Sequence, residues 1–174
     1  MEVGKMIHIY CGDGKGKTSA AAGLAIRCAG AGMKAAFFQF LKNGTSSEII
    51  SLKKLGIKVS CCEECCKFTF EMTPDEKASV KNAQDQMLRD AESLTEKGFG
   101  LIVLDEFFGA LTTKTLSHDK AMQFVESFPA ASELVLTGRD PEEFFLERAD
   151  YISQIQAVRH PYSKGVPARR GIEY

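Results

Sequence analysis

The residues that could do chemistry begin with a glycine-rich run, Gly12-Asp13-Gly14-Lys15-Gly16-Lys17-Thr18. It follows an apolar stretch, Met6 to Tyr10, and leads into an alanine-rich stretch, Ala20 to Ala29. A strand, a glycine loop and a helix in that order let backbone N–H groups converge on phosphate oxygens at a helix start. Lys17 can add a charge-assisted contact to the phosphates, and the Thr18 hydroxyl can coordinate an accompanying Mg²⁺. The expected ATP contacts are therefore Gly12, Asp13, Gly14, Lys15, Gly16, Lys17, Thr18 and Ser19. The usual form of this phosphate loop has a glycine where Cys11 stands.

A second motif is Leu101-Ile102-Val103-Leu104-Asp105-Glu106, an apolar strand ending in two carboxylates. One carboxylate can hold Mg²⁺ directly or through water, and the other can take a further water or a ligand hydroxyl. Thr18, Asp105 and Glu106 are the expected metal residues, and Lys17, Thr18 and Glu106 the expected catalytic ones. Arg139, just after another strand end, could reach a phosphate or make a surface ion pair. The bland alternative to a phosphate site is a turn joining a strand to a helix. It requires strand, helix, three glycines and an acidic strand end to coincide without purpose.

The elements that must position these groups alternate. Met6 to Tyr10, Ala35 to Phe40, Ile57 to Ser60, Leu101 to Leu104, Leu134 to Thr137 and Tyr151 to Val158 read as strands, several of them buried on both faces. Helical stretches separate them, the pattern of a parallel sheet covered by helices on both sides. The expected fold is α/β, a P-loop NTPase-like three-layer arrangement with a mostly parallel, roughly six-stranded sheet. Ligands in such sheets sit at the carboxyl ends of the strands, where both motifs fall.

One helix is well signposted, with Thr73 as N-cap, Pro74 at the first position, Glu76 three residues after the cap and Gly98 past the end. Val80, Ala83, Met87, Ala91 and Leu94 form its apolar face. Asp140-Pro141-Glu142-Glu143 repeats the same start signal, and Ser117 can cap a helix running to about Phe128. The 174 residues fit one domain spanning 1–174. Lys plus Arg, 22, nearly balances Asp plus Glu, 23, so no overall field draws in nucleic acid or an anionic membrane. No apolar run approaches the roughly 20 residues that span a bilayer. The start, Met-Glu-Val-Gly-Lys, lacks the apolar core of a secretion signal, so a cytoplasmic location is expected.

The segments in order resemble the P-loop type of corrinoid adenosyltransferase family. The resemblance is carried by the loop Gly12 to Thr18, Gln39-Phe40-Leu41-Lys42, Phe68-Thr69-Phe70-Glu71, Leu104-Asp105-Glu106 and Leu136-Thr137-Gly138-Arg139. It continues through Ala149-Asp150-Tyr151-Ile152, His160-Pro161-Tyr162, Gly165-Val166 and Gly171-Ile172-Glu173-Tyr174. It implies that Co(I) of a reduced corrinoid attacks the ribose C5' of ATP and expels triphosphate. In the family the triphosphate lies reversed relative to ordinary P-loop ATPases, so Lys17 and Thr18 would stabilise a leaving group. The resemblance also places Phe68 and Phe70 against the corrinoid, where two aromatics favour loss of the axial ligand and ease cobalt reduction; the second aromatic is often Trp in the family. It further implies a homodimer and a flavin-type electron donor. Some relatives carry an extra N-terminal helix over the corrinoid, a lid expected to be absent or replaced here.

The six cysteines do not make the framework of a small secreted domain and are expected as thiols. The run Cys61-Cys62-Glu63-Glu64-Cys65-Cys66 lies outside the family pattern. Adjacent cysteines cannot all point at one ion without backbone contortion, so a zinc or iron–sulfur site is disfavoured. His8 reads as a packed strand residue, His118 as a surface residue and His160 as part of the family-like tail. Two other functions fit a P-loop with an acidic strand end: a nucleoside or small-molecule kinase, with Glu106 as base, and a non-catalytic corrinoid carrier.

Overall fold

A computed structural model describes residues 6–174. The start of the chain, on which the expectations of a missing secretion signal and a missing lid partly rested, lies outside the described residues. Six strands form one sheet: β1 (Ile7–Cys11), β2 (Lys34–Gln39), β3 (Lys58–Cys61), β4 (Phe99–Asp105), β5 (Glu133–Thr137) and β6 (Tyr151–Gln154). Their order is β3-β2-β4-β5-β1-β6, and every neighbouring pair is parallel. The fold is α/β and P-loop NTPase-like, as expected.

Parallel strands need crossovers, and the helices supply them on both faces. Helices α1 (Lys17–Gly30) and α2 (Ser47–Lys54) cover one face, burying Ala21, Ala22, Ala25, Ile49 and Leu52 against Phe37, Leu101 and Val103. The alanines leave no bulk between α1 and the sheet, so helix and strands approach closely. Helices α3 (Pro74–Thr95), α4 (Phe107–Thr112), α5 (His118–Glu126) and α6 (Glu143–Leu146) cover the other face. There Met87, Phe107, Phe124 and Phe145 pack on Phe38, Ile102 and Leu136. Each fully buried side chain of this kind contributes about 1.5–3 kcal/mol.

Helix α3 begins as its sequence requires. Thr73 accepts from Glu76 N at 3.2 Å, Glu76 accepts from Thr73 N at 2.8 Å, and Pro74 opens the first turn. Val80, Met87, Ala91 and Leu94 are buried, together with Gln84 and Asp85, while Ala83 is partly covered.

Three expectations need correction. The last strand ends at Gln154 rather than Val158, because the chain there leaves the sheet to pack over the glycine loop. The later helix runs only from Glu143, with Glu142 rather than Asp140 at the N-cap position and no side-chain cap hydrogen bond. Helix α5 stops at Glu126.

Candidate active site

The topology decides which strand ends meet. Strand β5 lies between β1 and β4, so Thr137 at its end stands between the glycine loop after β1 and the carboxylates after β4.

The loop is held in shape by residues from the far end of the chain. Gly12 N donates to Arg139 O at 3.0 Å, Gly14 N donates to Ile155 O at 2.8 Å, and Asp13 accepts from Ala157 N at 3.0 Å. A Cβ on Gly12 would stand 2.4 Å from Ile155 O, which explains glycine there. Gly16 has φ 122°, a conformation that side chains rarely adopt, and it turns the chain into α1.

The start of α1 differs from that of α3 in a telling way. It has no side-chain cap and no acidic residue in its first turn. Its first N–H groups therefore keep their donors for an incoming anion, and the positive end of the dipole is not offset. Lys17 Nζ donates to the carbonyls of Gly12 and Gly14 at 2.7 and 2.8 Å, so its ammonium lies folded across the loop. Lys15 points elsewhere, to Glu173 at 3.2 Å. Thr18 and Ser19 line a cavity of about 320 Å³ with Lys42, Glu48, Glu173 and Tyr174.

Asp105 is fully buried and doubly bonded: Oδ1 accepts from the Thr137 hydroxyl at 2.8 Å and Oδ2 from Gln39 Nε2 at 3.2 Å. Lys42 lies 3.6 Å from the same Oδ2. Gln39 Nε2 also donates to Glu48 at 3.0 Å, while Gln39 Oε1, equally buried, accepts no hydrogen bond among the described residues. Glu106 follows with φ 59°, a left-handed conformation that costs a non-glycine residue energy and is held here by its N–H donating to Thr137 at 2.9 Å. Burial, and then the charge of Asp105, push the Glu106 carboxyl above its ordinary range.

Arg139 sits beside this group. Its carbonyl anchors Gly12, and its charge, with those of Lys42 and Lys17, partly offsets the rise at Glu106. It also lines a cavity of about 840 Å³ with Gly12, Asp13 and Gln154.

Phe68 and Phe70 are not core residues. They are 71% and 78% exposed, with rings stacked at 5.4 Å between centroids and 7° between planes. Phe70 lies in a short 3₁₀ turn over Thr69–Glu71, and Phe68 precedes it in an extended conformation. Two apolar rings held in water in mutual contact form a surface for another flat apolar body. Phe68 lines a cavity of about 460 Å³ with Lys42, Cys65, Glu71, Glu173 and Tyr174. This cavity and the one beside Thr18 share Lys42, Glu173 and Tyr174, so loop and aromatic pair border adjoining spaces.

Several participants carried no independent signal in the sequence. Glu48 lies in an unremarkable helix start, and Thr137 reads as a strand end within one segment of the family resemblance. The tail comes over the site because Ser47 donates to Tyr174 O at 2.9 Å and Lys15 pairs with Glu173. Gln39, Lys42 and the tail had only their place in the family resemblance to mark them. Of the histidines, His8 stacks on Tyr151 at 4.6 Å and pairs with Glu133, His118 pairs with Glu142 at the surface, and His160 accepts from Tyr162 N.

Comparison with known proteins adds a further finding. A family model described as ATP:corrinoid adenosyltransferase BtuR/CobO/CobP matches residues 4–174. A protein of Pseudomonas aeruginosa called corrinoid adenosyltransferase is 32% identical over 170 residues, covering 97% of this chain and 83% of its own. Proteins of that name from Escherichia coli K12 and, as corrinoid adenosyltransferase CobA, from Salmonella typhimurium are each 29% identical over 171 residues, covering 97% of this chain and 85% of theirs.

Proposed function

The chain belongs to the ATP:corrinoid adenosyltransferase family and is an ATP:corrinoid adenosyltransferase, and from that premise we propose how its own residues carry the reaction. Co(I) of the reduced corrinoid donates an electron pair to the ribose C5' of ATP, the C5'–O bond breaks, and triphosphate leaves with the bonding pair. No protein nucleophile is needed. The work of the chain is to hold C5' in line with cobalt and to stabilise charge gathering on the leaving group. The open N–H groups at the start of α1 and the Lys17 ammonium do the second task. Lys17 exchanges two loop carbonyls for phosphate oxygens when ATP enters.

The donors near Thr18 fit Mg²⁺. The hydroxyl of Thr18 and the carboxylates of Asp105 and Glu106 offer oxygens, as a hard cation requires, and Gln39, bonded to Asp105, carries a buried Oε1 that accepts no hydrogen bond among the described residues. Among the described residues no three acidic, histidine or cysteine side chains form a ready-made metal cage, which suits an ion that keeps waters and substrate phosphates in its shell. Thr18, Glu106 and, through water, Asp105 are the residues that would hold it. Mg²⁺ supplies charge neutralisation on the triphosphate.

The stacked, exposed pair of Phe68 and Phe70 is the observation that carries the corrinoid side of this reading. In the same reading Arg139 contacts ATP, residues 1–174 act as one domain, and the enzyme works as a cytoplasmic homodimer fed by a flavin-type reductant. Among the described residues no helix is long and apolar enough to cross a membrane.

An anaerobic absorbance assay with cob(I)alamin, ATP and Mg²⁺ tests the reading. Photolabile adenosylcobalamin and triphosphate should appear together. ADP as the product would point to phosphoryl transfer, and tight corrinoid binding without product to a carrier.

A further inference from the structure

The cysteine run between β3 and Phe68 takes no part in the reaction above, yet its geometry is specific. Cys62 and Cys65 turn inward, at 1% and 6% exposure, with their Sγ atoms 2.8 Å apart. Cys66 is exposed and donates to Glu63 O, while Cys61 is half-buried beside Gly44. The backbone enforces the inward pair: Cys65 N donates to Cys62 O at 3.0 Å, closing a tight turn, and Cys62 N donates to Lys42 O at 3.1 Å, tying that turn to the site. The Gln84 amide lies 3.4 Å from Cys65 Sγ.

The four thiols are thus divided, two facing each other inside and two facing away. Such a division suits a pair and not a four-sulfur metal cage, which needs all four to converge. Among the described residues no metal-holding group of three or more ligands is found.

We propose that Cys62 and Cys65 are a reversible dithiol–disulfide pair, set in the wall of the cavity that carries Phe68 and oxidised by exchange with a low-molecular-weight disulfide. Cys65 lines that cavity of about 460 Å³, which gives a small disulfide a way in. The Cys65 thiolate attacks one sulfur of the incoming disulfide and a thiolate leaves. The Cys62 thiolate then attacks Cys65 Sγ and expels the second. Two protein thiols and one disulfide become one protein disulfide and two small thiols, so atoms and electrons balance. The hydrogen bond shared by the pair supports this order, since it lowers the Cys65 thiol below its ordinary range and raises Cys62 above it. The corrinoid-facing side of the site acquires a covalent state that follows the surrounding thiol poise.

The main test uses the wild-type protein, so its outcome does not depend on a variant folding. It is incubated with excess oxidised glutathione, its free thiols are blocked, and the intact mass and proteolytic peptides are measured. Loss of two hydrogens, mapped to a Cys62–Cys65 link and reversed by dithiothreitol, is expected. Cys66→Ser should give the same link. A link that uses Cys61 or Cys66, the absence of any link, or stoichiometric zinc or iron on the anaerobically purified protein would each overturn the proposal.

Discussion

The Thr137 hydroxyl donates to Asp105 Oδ1 at 2.8 Å and at the same time accepts from the backbone N–H of Glu106, one residue along. One side chain on β5 thus fixes a buried carboxylate and the left-handed turn beyond it. Thr137→Val keeps the shape and removes both bonds. It should destabilise the fold by about 1–3 kcal/mol, the cost of leaving buried polar groups unpaired. Denaturant unfolding measures this, and an unchanged midpoint would show that the hydroxyl does not hold the turn.

Lys17→Ala removes the ammonium that lies across the loop. If its charge acts on the leaving triphosphate, kcat should fall by about 10²–10³, the usual effect of losing one positioned donor to developing charge. Steady-state assays under anaerobic conditions give the number. A rise in KM for ATP with kcat unchanged would mean that Lys17 only binds ground-state ATP.

Glu106 makes a prediction about pH. Burial and the charge of Asp105 raise its carboxyl above the ordinary 4.5, so the folded protein binds this proton more tightly than the unfolded chain does. The stability it contributes is complete below pH 4.5 and is lost as pH rises through the raised value. Glu106→Gln should flatten that part of the unfolding free-energy profile. If Glu106 holds Mg²⁺ as proposed, activity runs the other way, because the ion needs the ionised carboxylate: the half-saturating Mg²⁺ concentration should climb as pH falls into the raised range. Parallel stability profiles for wild type and variant would remove the assignment.

Phe68→Ala and Phe70→Ala cut exposed rings, so each should change stability by no more than about 0.5 kcal/mol. Adenosylation starting from cob(II)alamin with a reductant should fall sharply, while adenosylation of chemically prepared cob(I)alamin should survive. Equal loss from both starting points would place the rings in binding alone.

Most of the scaffold was legible because strands and helices leave periodic marks. Six apolar runs became six strands, and the Thr73-Pro74-Glu76 signal became a capping box. The loop and the acidic strand end were legible for the same local reason. What escaped was set by distance along the chain. Nothing near Gln39 announces that its amide will bridge Glu48 and Asp105, and nothing near Ile155 announces that its carbonyl will press on Gly12. Phe68 and Phe70 were visible as a pair, but only the fold turns them outward and stacks them. Asp140 misled because a proline after an acidic residue marks a turn as readily as a helix start.

The pairing of β1 also bears on how the protein is made. This strand, which delivers the glycine loop, pairs only with β5 and β6, whose residues come more than a hundred positions later. A ribosome therefore releases the loop early and the strands that flank it late. Until they emerge, β1 is an apolar segment with both edges unpaired, open to chaperones and to mispairing. Nucleotide can act as a folding ligand only for the nearly finished chain, and an interrupted one would be left without an ATP site.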